Sequence, residues 1–437
     1  MRQQLSKVLL MAVAVALLLL SSCASASIPD SSTEKPLEMT PETPSTATPK
    51  TNPSPPQTSH TPPSSETEPT SDTDKDILPK IKTVVKRKGK LPICESEPIF
   101  TASPMDLKYI TDIIPLGNMN PPSHTFPTDH IYFHITRQDG ADRPDTATVY
   151  SPGDLTVTQI WASEHVKAGF ADYNIFLKPC DDITVMFYHV SSLSKDIFGD
   201  TSSFTTWHLD SEYATGGETY RTWSKQYSLK VKAGDILGMA GGNRGQWALD
   251  LGVYDRRYRP EKVANPQRWQ SRYLNTVCPF KYFEEGPVLD QLLALVKRDK
   301  VEGESLPCGS ILQDMPGTAH GIWFLSGVSE TYPEDHHLAL VRSNIHPARA
   351  VLSVGNSINN LRSDTYDFLP KNTGRLNRDF RDIAPDGQTY GFQVNQFEGV
   401  IILQIVDTET IWIQAIREAT ENPTSWIFSG DKTVFVR

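Results

Sequence analysis

Three short segments of this chain set imidazoles and carboxylates close together among apolar neighbours. The first is His124-Thr-Phe-Pro-Thr-Asp129, a histidine and an aspartate five apart with Pro127 fixing the loop between them. The second, Phe187-Tyr-His189-Val-Ser-Ser-Leu193, ends an apolar run on a histidine. The third, Ala248-Leu-Asp250-Leu-Gly-Val-Tyr254, follows the glycine-punctuated stretch Val231-Lys-Ala-Gly234-Asp-Ile-Leu-Gly238. Imidazole and carboxylate are the groups that hold divalent metals and move protons near neutral pH. Each also has a plain structural reading. A His–Asp pair near a turn is often a simple hydrogen bond, and a histidine ending a strand is more often structural than catalytic. Asp250 could cap a polar cleft or pair with Arg244.

Strand periodicity decides which of these side chains can meet. If a strand starts at Asp129, then Asp129, Ile131 and Phe133 share one face and His130, Tyr132 and His134 the other. On that register Asp129 faces the site while His130 and His134 do not. In the third segment Ala248, Asp250 and Gly252 share a face, and Leu249, Leu251 and Val253 lie opposite.

Taken in order, the three segments resemble the core of the lysostaphin-like (LytM-type) zinc metallopeptidases, the duplicated-hybrid-motif enzymes that cut peptide bonds in bacterial cell walls. The resemblance covers about residues 113–254. It implies an antiparallel β domain with one metal held by His124, Asp129 and a third ligand, a metal-bound water, and His189 as the catalytic histidine. The family closes its core with a His-x-His pair, where this chain has Ala248 and Asp250. Asp250 is then the third ligand. One nitrogen and two carboxylates make a harder, more anionic set, so manganese or calcium stand beside zinc as candidates, and so does no metal at all. Loss of the histidine at Ala248 also removes a donor aimed at the developing oxyanion, an effect of about 100- to 1000-fold in rate.

Three functions follow as expectations. The first is a degenerate lysostaphin-like domain that binds cell-wall peptide or glycan, or regulates a wall hydrolase. The second is an active metal-dependent peptidoglycan endopeptidase with an altered ligand set. The third is a non-catalytic surface binder of solute or polysaccharide.

The rest of the chain suits an exported protein. Arg2 and Lys7 precede an apolar run over residues 8–20, and Leu20-Ser-Ser-Cys23 resembles a bacterial lipobox. Residues 1–23 therefore read as a lipoprotein signal peptide, with Cys23 lipidated and the protein anchored outside the cytoplasm to the cell membrane or outer membrane. Residues 24–90 are dominated by Ser, Thr, Pro, Glu and Lys and read as a disordered tether. At ~3.1 Å per residue it could span on the order of 100–150 Å. Its closing basic cluster, from Lys80 to Lys90, reads as a solvated lead-in. A formal charge of −10 argues against nucleic acid as a partner. Beyond Cys23 the cysteines are Cys94, Cys180, Cys278 and Cys308, an even number that suggests two disulfides with three connectivities open. In one of these, Cys278–Cys308 staples the segment joining the two halves, leaving Cys94–Cys180 within the first.

The fold expected is mainly β: a lysostaphin-like β domain over 91–263, a helical connector over 264–300, and a second antiparallel barrel or sandwich over 301–437. Apolar alternation marks strands near 130–135, 147–150, 155–161, 174–177, 183–189, 227–231 and 247–254, and again near 337–341, 350–354, 389–396, 400–406, 411–416 and 426–436. Residues 196–225 read as a long loop or insertion whose aromatics, Trp207 and Trp223, could line a glycan groove. Asn265-Pro266 reads as a helix start, and Leu289, Leu292, Leu293 and Val296 predict a helix over 287–298. Glu334-Asp-His-His337 reads as a solvated turn.

Overall fold

The structure, a computed structural model, describes Cys94 and residues 98–260 and 263–437. The signal segment, Cys23 and the tether lie outside the described residues.

Two antiparallel sheets account for the fold, as the alternation predicts. The first contains β1 (Ile110–Ile114), β2 (Ile131–Ile135), β3 (Thr146–Tyr150), β4 (Leu155–His165), β5 (Phe170–Lys178), β6 (Ile183–Leu193), β7 (His208–Thr215), β8 (Glu218–Val231), β9 (Ile236–Gly241), β10 (Ala248–Asp255) and β11 (Thr276–Val277). Its main path runs β1-β2-β10-β6-β5-β4-β8-β7, and β9 joins β3 to β6. One face supplies the core: Phe133 of β2, Ile175 and Leu177 of β5, Val185 and Phe187 of β6, and Leu249, Leu251 and Val253 of β10. The alternate residues of the same strands carry the polar groups, so the face opposite the core holds the chemistry.

The second sheet contains β12 (Gly321–Leu325), β13 (Leu338–Arg342), β14 (Ala350–Val354), β15 (Asp364–Phe368), β16 (Tyr390–Phe392), β17 (Val400–Asp407), β18 (Thr410–Ile416) and β19 (Thr433–Val436). One of the two sheets is nearly barrel-shaped, and the strands of the second are ordered β15-β14-β13-β12-β19-β18-β17-β16. Trp323, Phe368, Phe380 and Phe392 lie at its centre. Its strands β12 and β13 face two cores. Trp323, Leu338 and Leu340 point into the second core, while Ile322, Phe324, Ala339 and Val341 join the first. Alternation along two strands thus welds the halves together.

Disulfides Cys94–Cys180 and Cys278–Cys308 are both formed. Several local expectations need correction. Residues 196–225 are no loop: after a short helix (Lys195–Phe198), β7 and β8 form a hairpin, and β8 pairs with β4 along nearly its whole length. The exposed β7 lacks an apolar face, so pairing made by its neighbour is invisible to a periodicity search. At Asn265 a single 3-10 turn (Pro266–Arg268) forms, with no side-chain cap. The helix from Pro287 stops at Ala294, because Val296 bridges to Ile113 and Lys297 donates its N–H to the Ile113 carbonyl.

Candidate binding cleft

The polar face of the first sheet borders a cleft of about 340 Å³. Its floor is a row of alternate side chains: Asp250 of β10, Tyr188 of β6, Asp172 and Asn174 of β5, and Trp161, Ser163 and His165 of β4. The β7–β8 hairpin supplies Tyr213 and Tyr220, whose rings stack at 5.2 Å.

His189 reaches this floor through a bulge. Tyr173 pairs with Val190 and Ile175 with Phe187, so Tyr188 and His189 together oppose the single residue Asn174. His189 takes a φ of 64° there, a left-handed conformation unusual for a non-glycine residue. The extra residue lets two consecutive side chains enter the cleft while Phe187 and Val190 both stay in the core.

His189 Nδ1 donates to Asp172 Oδ2 at 2.6 Å. His165 Nε2 lies 3.2 Å from that same oxygen, and Gln246 Nε2 donates to it as well. Asp172 is 1% exposed. Burial alone would raise its pKa, but the charge of His189 and the hydrogen bonds from both histidines hold it well below the usual carboxylate range. Burial likewise opposes a charge on His189, but the Asp172 charge and hydrogen bond prevail and lift it to about 9. The pair is therefore a carboxylate–imidazolium at neutral pH.

Asp129 belongs to a second knot. Its Oδ1 meets His130 Nδ1 at 2.9 Å, while its Oδ2 accepts from Tyr254 OH at 3.1 Å and lies 3.3 Å from Arg272 Nε. Burial works against the Asp129 charge, but Arg272 and then His130 hold it down at about 2. Arg272 comes from the short helix Ser271–Leu274, beyond the segment that resembles the peptidases.

The alternation argument excluded His130, and the structure reverses this. β2 begins at Ile131, so Asp129 and His130 precede it in a bend and both side chains turn into the cleft. Within β2 the expected faces are exchanged: Ile131 and Phe133 enter the core, while His134, paired with Ala248 of β10, lies on the polar side and meets Asp112 at 2.8 Å.

Asp250 lies at the junction of the two knots. Its Oδ2 is 3.4 Å from His130 Nε2 and 3.6 Å from His189 Nε2, and Oδ1 is buried with no hydrogen-bond partner. Burial raises its pKa above the usual value, against the pull of His130 and His189. Arg244 pairs with Asp142 at 3.0 Å and leaves Asp250 alone. The His124 ring centroid is 6.1 Å from that of His130. Burial, then the neighbouring His130, push the His124 pKa down to about 3, so its ring is neutral.

All four expected residues therefore line one cleft, while His124, Asp129 and Asp250 do not form a set of ligand atoms lying within 4.8 Å of one another. Both oxygens of Asp129 are engaged, one of them beside a guanidinium, and Asp250 turns toward two histidines. Among the described residues, the set of three metal-capable side chains whose ligand atoms lie within 4.8 Å of one another is His165, Asp172 and His189. Sequence reasoning missed His165 and Asp172 because it ended one strand at 161 and began the next at 174. Polar residues alternating with Ile160 and Ala162, and with Tyr173 and Ile175, carry the signal across that gap.

The C-terminal half closes the cleft with Tyr332, Pro333 and Glu334. Glu334 accepts the Phe126 N–H at 2.8 Å, and Asp335 Oδ1 accepts from Thr215 Oγ1 at 2.5 Å. Glu334 and His337 are thus buried, not solvated: His337 Nδ1 accepts the Leu325 N–H, and its ring stacks on Phe126 at 5.3 Å. No protein-family model, curated protein or solved structure matches the chain.

Proposed function

We propose that the protein is a surface-anchored lipoprotein whose degenerate lysostaphin-like cleft binds cell-wall peptide or glycan without cutting it. One observation carries this reading: Arg272 stands at Asp129, where the resemblance calls for a metal. The site balances its charges from within. Arg272 offsets Asp129, the His189 proton offsets Asp172, and burial favours the neutral form of Asp250. A divalent cation at Asp129 would sit against a guanidinium, a repulsive arrangement in a buried setting.

The rest of the cleft suits a long polar ligand. Aromatic rings from four strands stand among hydroxyl, amide and carboxyl groups, and the site is open enough to leave His189 40% exposed. Two disulfides fit an extracytoplasmic setting. Among the described residues no helix is long and apolar enough to cross a membrane, and the proposed attachment is through Cys23.

The test incubates the purified full chain with isolated cell-wall sacculi, with and without Zn2+. Co-sedimentation without muropeptide release is expected. Release that is lost in Asp250→Ala would overturn the reading in favour of an active endopeptidase.

A further inference from the structure

We infer that His165, Asp172 and His189 form a transition-metal site of the Zn2+ class at the base of the cleft, separate from the Asp129 position that the peptidase resemblance points to. Two imidazole nitrogens and one carboxylate oxygen converge there, with His189 Nδ1 at 2.6 Å and His165 Nε2 at 3.2 Å from Asp172 Oδ2. Adjacent ligands around a tetrahedral ion bound at about 2.0–2.1 Å stand roughly 3 Å apart, so little movement is needed to admit one. Two nitrogens and one oxygen suit zinc and its spectroscopic substitutes better than calcium or magnesium, which prefer oxygen alone.

Both rings are already oriented. His165 stacks on Phe170 at 4.3 Å and meets the edge of Tyr220 at 4.9 Å. The β6 bulge fixes the backbone of His189, whose far nitrogen, Nε2, faces Asp250 at 3.6 Å. A carboxylate behind a metal-bound imidazole selects the tautomer that presents the other nitrogen to the ion. Gln246 steadies Asp172, and Asn243 Nδ2 in turn donates to Gln246 Oε1 at 2.8 Å. The exposed flank of His189 gives the ion an entry and leaves a coordination position facing the cleft for water or a ligand oxygen.

Among the described residues no guanidinium pairs with this set, which distinguishes it from Asp129. In the metal-free protein the three donors are held together by hydrogen bonds, and a bound ion would take the place of the proton between His189 and Asp172.

The inference is independent of wall binding, and its test uses the metal alone. The full chain, freed of metal, is titrated calorimetrically with ZnCl2 and separately with Co2+, followed by ligand-field absorption. One ion per chain is expected. Its affinity should fall at least about 10- to 100-fold in His165→Gln and in Asp172→Asn, and stay within about twofold in His124→Ala. Circular dichroism identifies any variant that fails to fold, and His165→Phe then serves as a second removal of the same ligand. Absence of a one-to-one site, or loss of binding in His124→Ala with His165→Gln unaffected, would overturn the inference. Neither result would bear on co-sedimentation with sacculi.

Discussion

Arg272 Nε lies 3.3 Å from Asp129 Oδ2, joining the helical connector to the loop that precedes β2. The peptidase-like segment supplies the acid, and a residue beyond that segment supplies the base. The site is consequently a product of the whole folded region, and removing Arg272 leaves a carboxylate that is 1% exposed without its main cation. Arg272→Ala is expected to cost about 3 kcal/mol, the low end for breaking a buried pair, because the guanidinium is 31% exposed. Urea unfolding of the variant and parent checks this. A change under about 0.5 kcal/mol would show that the pair contributes little.

The histidines set opposite limbs of the stability–pH profile. His189 has a folded pKa near 9 against an ordinary 6.5, so its contribution is full below about 6.5 and is lost as pH rises through 9. His124 has a folded pKa near 3, so the unfolded chain takes its proton first and stability falls as pH drops from 6.5 toward 3. Asp129, near 2 against 3.8, adds to the acid loss below about pH 4. These three groups add stability as pH rises to about 6.5 and remove it from there through 9, and the alkaline loss should be flattened in His189→Gln. An imidazole resonance for His189 that titrates near 6.5 would contradict the assignment.

Asp250 behaves in the reverse sense to Asp129. Its folded pKa is raised, so ionisation at neutral pH opposes folding, and its stabilising contribution declines as pH rises above about 3.8. Asp250→Asn keeps the shape and removes that ionisation. At pH 7 the variant should be at least as stable as the parent, while wall binding weakens if the unpartnered Oδ1 serves the ligand. Paired denaturation and sedimentation measurements separate the two effects. A large loss of stability would show that Asp250 is ionised and held by His130 and His189.

Much of this was legible in the chain. Leu249, Leu251 and Val253 alternate so regularly that the site face of β10 and the position of Asp250 followed directly, and the polar turns marked most strand ends. His130 was lost because Ile131 and Phe133 were assigned to the site face; they enter the core, the alternate residues take the polar side, and Asp129 reaches the cleft only from the bend before β2. His189 enters by a bulge, and a bulge leaves no periodic trace. Arg272 lies in a short helix without an amphipathic pattern, and Glu334 looked like part of a charged turn. Both owe their place to tertiary packing, which local spacing does not encode.

The two disulfides should differ in their effect. Cys278–Cys308 closes 30 residues and Cys94–Cys180 closes 86. Loop-closure entropy then gives roughly 3.6 kcal/mol for the first and roughly 4.6 kcal/mol for the second. Paired Cys→Ser variants, compared by urea unfolding at equal pH, should keep that order. An inverted order would mean that the connector staple also holds the interface between the two sheets.

Glu334 tests whether the C-terminal half is part of the cleft. Burial raises its pKa to about 8, against the hydrogen bond from the Phe126 N–H. Its contribution to stability is therefore full below about 4.5 and lost as pH rises through 8. Glu334→Gln retains an acceptor for Phe126 and removes the titration, so the variant should fold normally and lose less stability between pH 7 and 9. Phe324→Ala, by contrast, empties a fully buried position between Phe126 and Trp269 and should cost about 3–5 kcal/mol. If the cleft needs its C-terminal wall, Glu334→Ala should weaken sedimentation with sacculi at a pH where the protein remains folded. Unchanged sedimentation would assign ligand binding to the first sheet alone.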